Sequence, residues 1–266
     1  MIPLHWHTEP TLLITLLAAG WIFAVCAGPL RRSLDPSASY PRQQAVLFFV
    51  GLLITYLTVG SPLDQLGEEF LFSFHMIQHT LLIYALPVIF LFGTPTWLAD
   101  RILEINLLRQ CATKLVHPVI AGSAFTLCFT LWHVPALYEA ALHSKRLHIL
   151  EHWTMFGTAL LMWWSILSPS KVLPAKGYGV RMIFISLLMV GQIPVFGYLT
   201  FSGEVLYPTY AFAPRLEFFN VSPLDDQILG GVLMKLANMI VSLIVLGTSF
   251  YLWAQADRKS VGTGSF

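Results

Sequence analysis

Charged residues are scarce in this sequence of 266 residues, which carries only 15 Lys and Arg and 14 Asp and Glu. Charged side chains make up 11% of the chain and hydrophobic ones 56%, whereas about a quarter of an average soluble domain is charged. The net charge of +1 leaves no basic surface for nucleic acid, which is excluded as a partner. The composition therefore predicts an integral membrane protein.

Cysteine is scarcer still. Cys26, Cys111 and Cys128 lie far apart in the sequence, and no two cysteines have the Cys-x-x-Cys spacing. This pattern argues against a disulfide framework and against a thiolate metal site. Any metal site in this chain has to be built from His, Met and carboxylate side chains.

Long apolar runs are what the sequence has in abundance. Seven of them are long enough for a helix to cross the ~30 Å hydrocarbon core of a membrane. We therefore predict an all-α, seven-transmembrane-helix bundle in which residues 1–266 form a single polytopic membrane domain. The predicted spans are about 11–30, 43–60, 72–92, 118–135, 150–167, 181–200 and 227–253.

The distribution of Lys and Arg predicts the orientation of this bundle. No basic residue precedes the first span, whereas Arg31 and Arg32 follow it, so we expect a retained helix rather than a cleaved signal. With the N-terminus outside and the C-terminus in the cytoplasm, 11 of the 15 basic residues lie on the cytoplasmic side. The same orientation places eight of the nine histidines at the outer side: His5, His7, His75, His79, His133, His143, His148 and His152.

Two histidine pairs in the apolar segments have a spacing that suits metal binding. His75 and His79 are four residues apart, so their imidazoles project from the same face of a helix. His148 and His152 repeat this spacing near the start of the fifth span. Two neutral imidazoles on one helical face can bind a transition metal. The alternative is that each histidine is a polar side chain hydrogen-bonded near the membrane interface.

His133 completes the set of candidate ligands. It stands two residues before Pro135, which can end the fourth span and leave the imidazole at the outer end of that helix. The third, fourth and fifth spans are thus predicted to place one layer of metal ligands near the outer face: His75, His79, His133, His148 and His152.

Other residues near this layer have two interpretations each. Glu151, Asp225 and Asp226 either fix histidine tautomers from behind the ligands or cap helix N-termini. Met76 is either a soft ligand or a packing residue. His5, His7 and His143 either deliver metal or have no such role. Lys235 lies within the seventh span, where a cation needs a partner or a cavity.

Four motifs together resemble a known protein family. They are residues 75–79 (HMIQH), 132–138 (WHVPALY), 148–152 (HILEH) and 222–227 (SPLDDQ). In this order they resemble the CtaG family of cytochrome c oxidase assembly proteins, from the third span to the seventh. The first two spans match that family only in hydrophobicity.

The resemblance implies a multi-pass protein of the bacterial plasma membrane that acts in the assembly of haem-copper oxidase and is not an enzyme. It implies copper, as Cu(I) or Cu(II), bound on the extracytoplasmic side, with zinc as an alternative ion for the same imidazoles. The expected partners are oxidase subunits, the lipid bilayer and an extracytoplasmic copper donor. The residues it singles out are His75, His79, His133, His148, Glu151, His152, Asp226 and Gln227.

Two other functions remain open at this point. One is a membrane enzyme, either a haem protein with paired axial histidines or a metal-dependent hydrolase or oxidase with Glu151 as its base. The other is a metal-free scaffold that holds oxidase subunits, in which the histidines serve only as hydrogen-bond partners.

Overall fold

The computed structural model describes residues 5–6, 9–216 and 219–263, with side chains as far as residue 259. His7 lies outside the described residues. Helices account for 79% of the structure, and no strand occurs in the described part of the chain, which confirms the all-α prediction. The α-helices are α1 (Pro10–Ala27), α2 (Arg31–Leu34), α3 (Arg42–Val59), α4 (Pro62–Glu69), α5 (Phe72–Thr80), α6 (Leu86–Gly93), α7 (Thr96–Leu103), α8 (Asn106–Leu115), α9 (Pro118–Trp132), α10 (Pro135–His143), α11 (Lys145–Leu167), α12 (Tyr178–Gly191), α13 (Ile193–Phe201), α14 (Pro208–Ala211) and α15 (Pro223–Thr263).

Within the described residues, five helical stretches are long and apolar enough to cross a membrane. They are Pro10–Ala27, Arg42–Glu69, Phe72–Gly93, Tyr178–Phe201 and Pro223–Lys259. A sixth arises if α8 and α9, bent by 68° at their junction, count as one span. The predicted span at 150–167 lies within α11 but is not among these stretches, because Glu151, His152 and polar neighbours reduce its mean hydropathy. Seven spans and the orientation of the termini stay predictions.

The helices that carry the histidines belong to one closed ring. In this ring α6 and the π-helical turn before it (Leu81–Ala85) pack on α11, α11 on α9, α9 on α12, α12 on α15, and α15 on α5. The ring encloses the main hydrophobic core, which includes Phe125, Met155, Trp163 and Met234. Outside it, α3 packs on α6 and α1 packs on α3. The histidine-bearing ends of α5, α9 and α11 therefore face the interior of the ring.

A π-helical turn, Leu81–Ala85, joins α5 to α6 and fixes how this segment meets α11. Pro87 has no N–H, so the carbonyl of Ile83, four residues earlier, loses its usual helical partner. The indole Nε1–H of Trp163 on α11 donates to that carbonyl at 2.8 Å. The carbonyl that lost its helical partner is thus paired by a side chain of α11. This bond fixes the position of the π-helical turn relative to α11.

Two glycines let neighbouring helices approach α5 closely. A Cβ on Gly67 of α4 would lie 3.0 Å from the Cα of His75, and a Cβ on Gly230 of α15 would lie 2.5 Å from Cδ1 of Phe72. Neither position has room for a larger side chain without movement of α5 or its side chains. These contacts hold the first turns of α5 between α4 and α15.

Candidate metal centre

Three helices bring the five predicted histidines together. His75 and His79 come from α5, His133 follows the last residue of α9, and His148 and His152 come from the start of α11. The ring centroids of His75 and His79 are 4.4 Å apart, and those of His148 and His152 are 4.1 Å apart. Between helices, His75 lies 5.4 Å from His148 and His79 lies 5.6 Å from His133. We call these five residues and Glu151 the histidine cluster.

Glu151 points its carboxylate at the pair on α5. Nε2 of His75 and Nε2 of His79 are 2.8 Å apart, a distance at which one imidazole donates a hydrogen bond to the other. Oε1 of Glu151 is 3.3 Å from Nε2 of His79 and 3.9 Å from Nε2 of His75. Two nitrogens that bind one ion at about 2 Å each lie about 3 Å apart, so the observed separation suits ligands of a shared ion. All three side chains are fully buried.

The orientation of His133 is set by the backbone of its own helix. Nδ1 of His133 is 2.6 Å from the carbonyl oxygen of Phe129. Because a carbonyl only accepts, Nδ1 carries the proton and donates it, and Nε2 keeps its lone pair. A backbone acceptor behind an imidazole is the usual arrangement at metal-binding histidines.

His148 is held in a comparable way by a carboxylate. Its Nδ1 contacts Oε1 of Glu68 on α4. Its Nε2 is at the opposite edge of the imidazole, away from Glu68. The ligand atoms of His75, His148 and Glu151 lie within 4.8 Å of one another. The ligand atoms of His75, His79 and His152 also lie within 4.8 Å of one another.

Many polar atoms of the histidine cluster have no hydrogen-bond partner among the described residues. They are Nδ1 of His75 and His79, Nε2 of His133, His148 and His152, and both carboxylate oxygens of Glu151. Buried polar atoms are nearly always paired, and one left unpaired costs about 1–3 kcal/mol. Imidazole nitrogens with one carboxylate are a donor set for zinc or copper. The residues present therefore fit a bound metal ion.

A layer of tyrosines covers the cluster next to α10 and α14. The ring of Tyr138 lies 5.2 Å from that of His75, and its hydroxyl is 2.9 Å from the hydroxyl of Tyr210. The hydroxyl of Tyr210 also donates to the carbonyl of Gly67, and that of Tyr207 donates to the carbonyl of His133. Burial raises the pKa of Tyr138 and of Tyr210, so both hydroxyls keep their protons. This layer shields the cluster from water on that side.

The other predicted residues lie outside the cluster. Asp225 is exposed and accepts a hydrogen bond from the hydroxyl of Ser222 at the start of α15. Asp226 is buried, and its carboxylate accepts from the backbone N–H of Ser73 in the first turn of α5. Both carboxylates therefore form hydrogen bonds at the starts of helices, which agrees with the alternative role of helix capping and not with a role behind the metal ligands. Asp226 acts on the cluster only through the helix that carries His75 and His79.

Gln227 and Met76 have packing roles. The amide of Gln227 accepts from the backbone N–H of Leu206 at 2.7 Å and donates to the carbonyl of Leu199 at 3.3 Å, which fixes the segment after α13. Met76 is fully buried in the main core, and its Cγ is 3.1 Å from where a Cβ on Gly230 would lie. Met76 thus faces α15.

The remaining polar candidates are also separate from the cluster. The side chain of His143 is 71% exposed and pairs with Glu139 at 3.5 Å. His5 is exposed, and its backbone N–H donates to the side chain of Gln65. Lys235 lies with its Nζ 5.6 Å from the ring centroid of Phe196, so an aromatic face is its observed partner.

Two carboxylates next to the cluster were not predicted as site residues. Asp64 and Glu68 of α4 approach His148, and the ligand atoms of these three residues lie within 4.8 Å of one another. The side-chain amide of Gln78 on α5 donates to Asp64 at 2.6 Å. The sequence signal was the i,i+4 spacing of Asp64 and Glu68, the same spacing that singled out the histidine pairs.

Comparison with known families gives one match. A family model described as cytochrome c oxidase caa3 assembly factor (Caa3_CtaG) matches residues 21–256. The matched region contains the whole histidine cluster and extends to the first two predicted spans. No curated protein and no solved structure matches this chain at a significant level.

Proposed function

This chain belongs to the cytochrome c oxidase caa3 assembly factor family, and we propose that it binds copper in its histidine cluster and passes the ion to an oxidase subunit. Membership indicates a role in oxidase assembly, and its apolar helices indicate a membrane protein. The proposed location is the bacterial plasma membrane, with the cluster near the extracytoplasmic face.

The observation that carries this proposal is the set of unpaired polar atoms in the cluster. Each of the five imidazoles has a buried nitrogen without a hydrogen-bond partner among the described residues, and Glu151 has two such oxygens. A protein that used these histidines only as hydrogen-bond partners would leave them satisfied. An ion bound by Nε2 of His133, His148 and His152 and by Glu151 would pair these atoms. This argues against the metal-free scaffold.

The packing of the imidazoles argues against the haem alternative. Axial histidines lie on opposite faces of a porphyrin, which separates their rings by the thickness of the macrocycle. Here His75 and His79 are neighbours on α5, with Nε2 atoms 2.8 Å apart. His148 and His152 are likewise in ring contact. The spacing suits a single small ion.

Burial argues against a hydrolase or oxidase that uses Glu151 as its base. Glu151, His75 and His79 are fully buried and covered by the tyrosine layer. On the side of α10 and α14, no substrate can approach the carboxylate without rearrangement of those helices. The same enclosure protects a bound ion from water and from adventitious ligands.

In the proposed mechanism the chain holds copper by several imidazoles at once and releases it stepwise. Because Nδ1 of His133 is fixed by the carbonyl of Phe129, its Nε2 stays turned toward His79 whether or not an ion is bound. His148 and His152 belong to the same helix, and ligands of the partner would replace them on the ion one after the other.

The test is elemental analysis of the full-length protein purified in detergent after growth with added copper. We expect the wild type to hold about one more copper ion per chain than the His75→Ala/His79→Ala variant. His143→Ala is the matched control, since His143 is exposed and outside the cluster. Thermal unfolding of each variant in detergent shows whether it is folded. No copper in the wild type, or copper unchanged in the double variant, would overturn the proposal.

A further inference from the structure

We propose a second cation site, formed by Asp64, Glu68 and His148, which a divalent ion occupies on its way to the histidine cluster. We call these three residues the rim site. The existence of the rim site is independent of the function proposed above, whereas its part in loading the cluster rests on that function.

The three residues of the rim site lie close enough together to hold one small ion. Glu68 contacts Nδ1 of His148, and the ligand atoms of all three residues lie within 4.8 Å of one another. Asp64 is 6% exposed and is oriented by the side-chain amide of Gln78, which donates to Oδ1 at 2.6 Å. That amide also donates to the carbonyl of Thr58, so the carboxylate of Asp64 is held in place by a fixed group.

His148 joins the rim site to the histidine cluster. It is 6% exposed, and its Nδ1 faces Glu68 while its Nε2 has no hydrogen-bond partner among the described residues. The ring lies 5.4 Å from His75 and 4.1 Å from His152. A neutral imidazole has one lone pair, so His148 can serve the rim site through Nδ1 or the cluster through Nε2, one group at a time. Only the imidazole of His148 separates an ion at the rim site from the histidine cluster.

The rim site also has the access that the cluster lacks. The side chain of Glu68 is 30% exposed, whereas His75 and His79 are fully buried. A cavity of about 600 Å³ between α1, α3 and α11 is bordered by Asp64, Glu68, His148 and His152. An ion that enters this cavity meets the rim residues and His152 before it meets the α5 pair.

The two groups of ligands differ in the ions they suit. Two carboxylates and one imidazole bring two negative charges and hard oxygen donors, which favour divalent ions. The cluster offers mostly imidazole nitrogen. The rim site is therefore expected to accept Co²⁺, Zn²⁺ or Cu²⁺ even when the cluster has been disabled.

The experiment is a titration of the full-length protein in detergent with Co²⁺, followed by its visible absorption. We expect the wild type to bind one more Co²⁺ ion per chain than Glu68→Gln, which removes one ligand and keeps the shape of the side chain. Glu69→Gln is the matched control, because Glu69 is the next residue on α4 and is exposed. It should bind as the wild type does.

Two further measurements separate this inference from the function proposed above. In the His75→Ala/His79→Ala background, one Co²⁺ ion per chain should remain, and Glu68→Gln should remove it. In the otherwise wild-type protein, Glu68→Gln should slow the uptake of Cu²⁺ by about 10-fold, whereas Glu69→Gln should leave the rate as it is in the wild type.

Equal Co²⁺ binding by wild type and Glu68→Gln would overturn the rim site. Lost Co²⁺ binding with an unchanged rate of copper uptake would keep the rim site and overturn its role in loading. A wild type that binds Co²⁺ at the rim, but whose copper content is unchanged by His75→Ala/His79→Ala, would overturn the proposed function alone. Because Glu68→Gln is a conservative change at a partly exposed position, its result does not depend on the more disruptive double variant.

Discussion

The carbonyl oxygen of Phe129 lies 2.6 Å from Nδ1 of His133 and decides which nitrogen of that ring faces the histidine cluster. The contact exists because α9 ends at Trp132 and His133 occupies the position just beyond it, one turn after Phe129. Pro135 then starts α10. The end of α9 thus fixes the orientation of a candidate metal ligand.

Removal of this imidazole is expected to weaken copper binding without preventing it. His133→Ala leaves the ligands of α5 and α11 in place, so we expect a loss in copper affinity of at least about 10-fold. Competition with a chelator of known affinity measures it. His143→Ala should bind copper as the wild type does, and equal losses in the two variants would count against His133 as a ligand.

The bond between Trp163 and Ile83 is expected to matter for stability. Trp163→Phe keeps an aromatic ring but leaves the Ile83 carbonyl buried without its donor, so the free energy of unfolding should fall by about 1–3 kcal/mol. Trp164→Phe is the control, since the indole of Trp164 is half-buried and donates to the carbonyl of Leu173 at 3.2 Å in the segment after α11. When the unfolding of both variants is measured in detergent, Trp164→Phe should lower the free energy of unfolding by less than Trp163→Phe does.

Close packing of α15 on α5 can be tested with two glycines of the same helix. Gly230→Ala places a Cβ 2.5 Å from Phe72 and should lower the free energy of unfolding by about 1–3 kcal/mol. Gly247→Ala has no atom within 4 Å of its new Cβ among the described residues. It should be neutral or slightly stabilising, because Ala has the better helix propensity. Equal effects on thermal unfolding would show that packing at Gly230 is not tight.

Asp225 and Asp226 should differ although they are neighbours. Asp226→Ala removes the acceptor of the Ser73 N–H at the start of α5 and should cost about 0.5–2 kcal/mol, as loss of a helix cap does. It should also weaken copper binding, because the turn that carries His75 is loosened. Asp225→Ala affects an exposed cap of α15 and should leave copper affinity unchanged. A fall in copper affinity with Asp225→Ala would instead support its role behind the ligands.

The residues of the histidine cluster could be predicted because local geometry was enough to find them. The spacing of His75 and His79, that of His148 and His152, and the proline after His133 are all readable over a few residues. That these segments come together needed only the expectation that polar groups in a membrane bundle face one another.

The features that could not be predicted from the sequence depend on contacts between residues far apart in the chain. Asp64 and Glu68 are about 80 positions from His148, and nothing local indicates that α4 folds back over α5. Likewise the adjacent acids Asp225 and Asp226 look equivalent in the sequence, and only the position of α5 makes one of them buried. The π-helical turn depends in the same way on a tryptophan that lies about 80 residues from the carbonyl it satisfies.

The carboxylate of Glu151 has a consequence for the oxidation state of a bound copper ion. Neutral imidazoles add no charge, so an ionised Glu151 gives the cluster a charge of −1. With Cu(I) the buried centre is electrically neutral, and with Cu(II) it carries one uncompensated positive charge. Such a charge is costly in a dry interior, so an ionised Glu151 as the single carboxylate of the cluster should raise the reduction potential of a copper ion bound there. The enclosure that covers the ion would thus also tune its reduction potential.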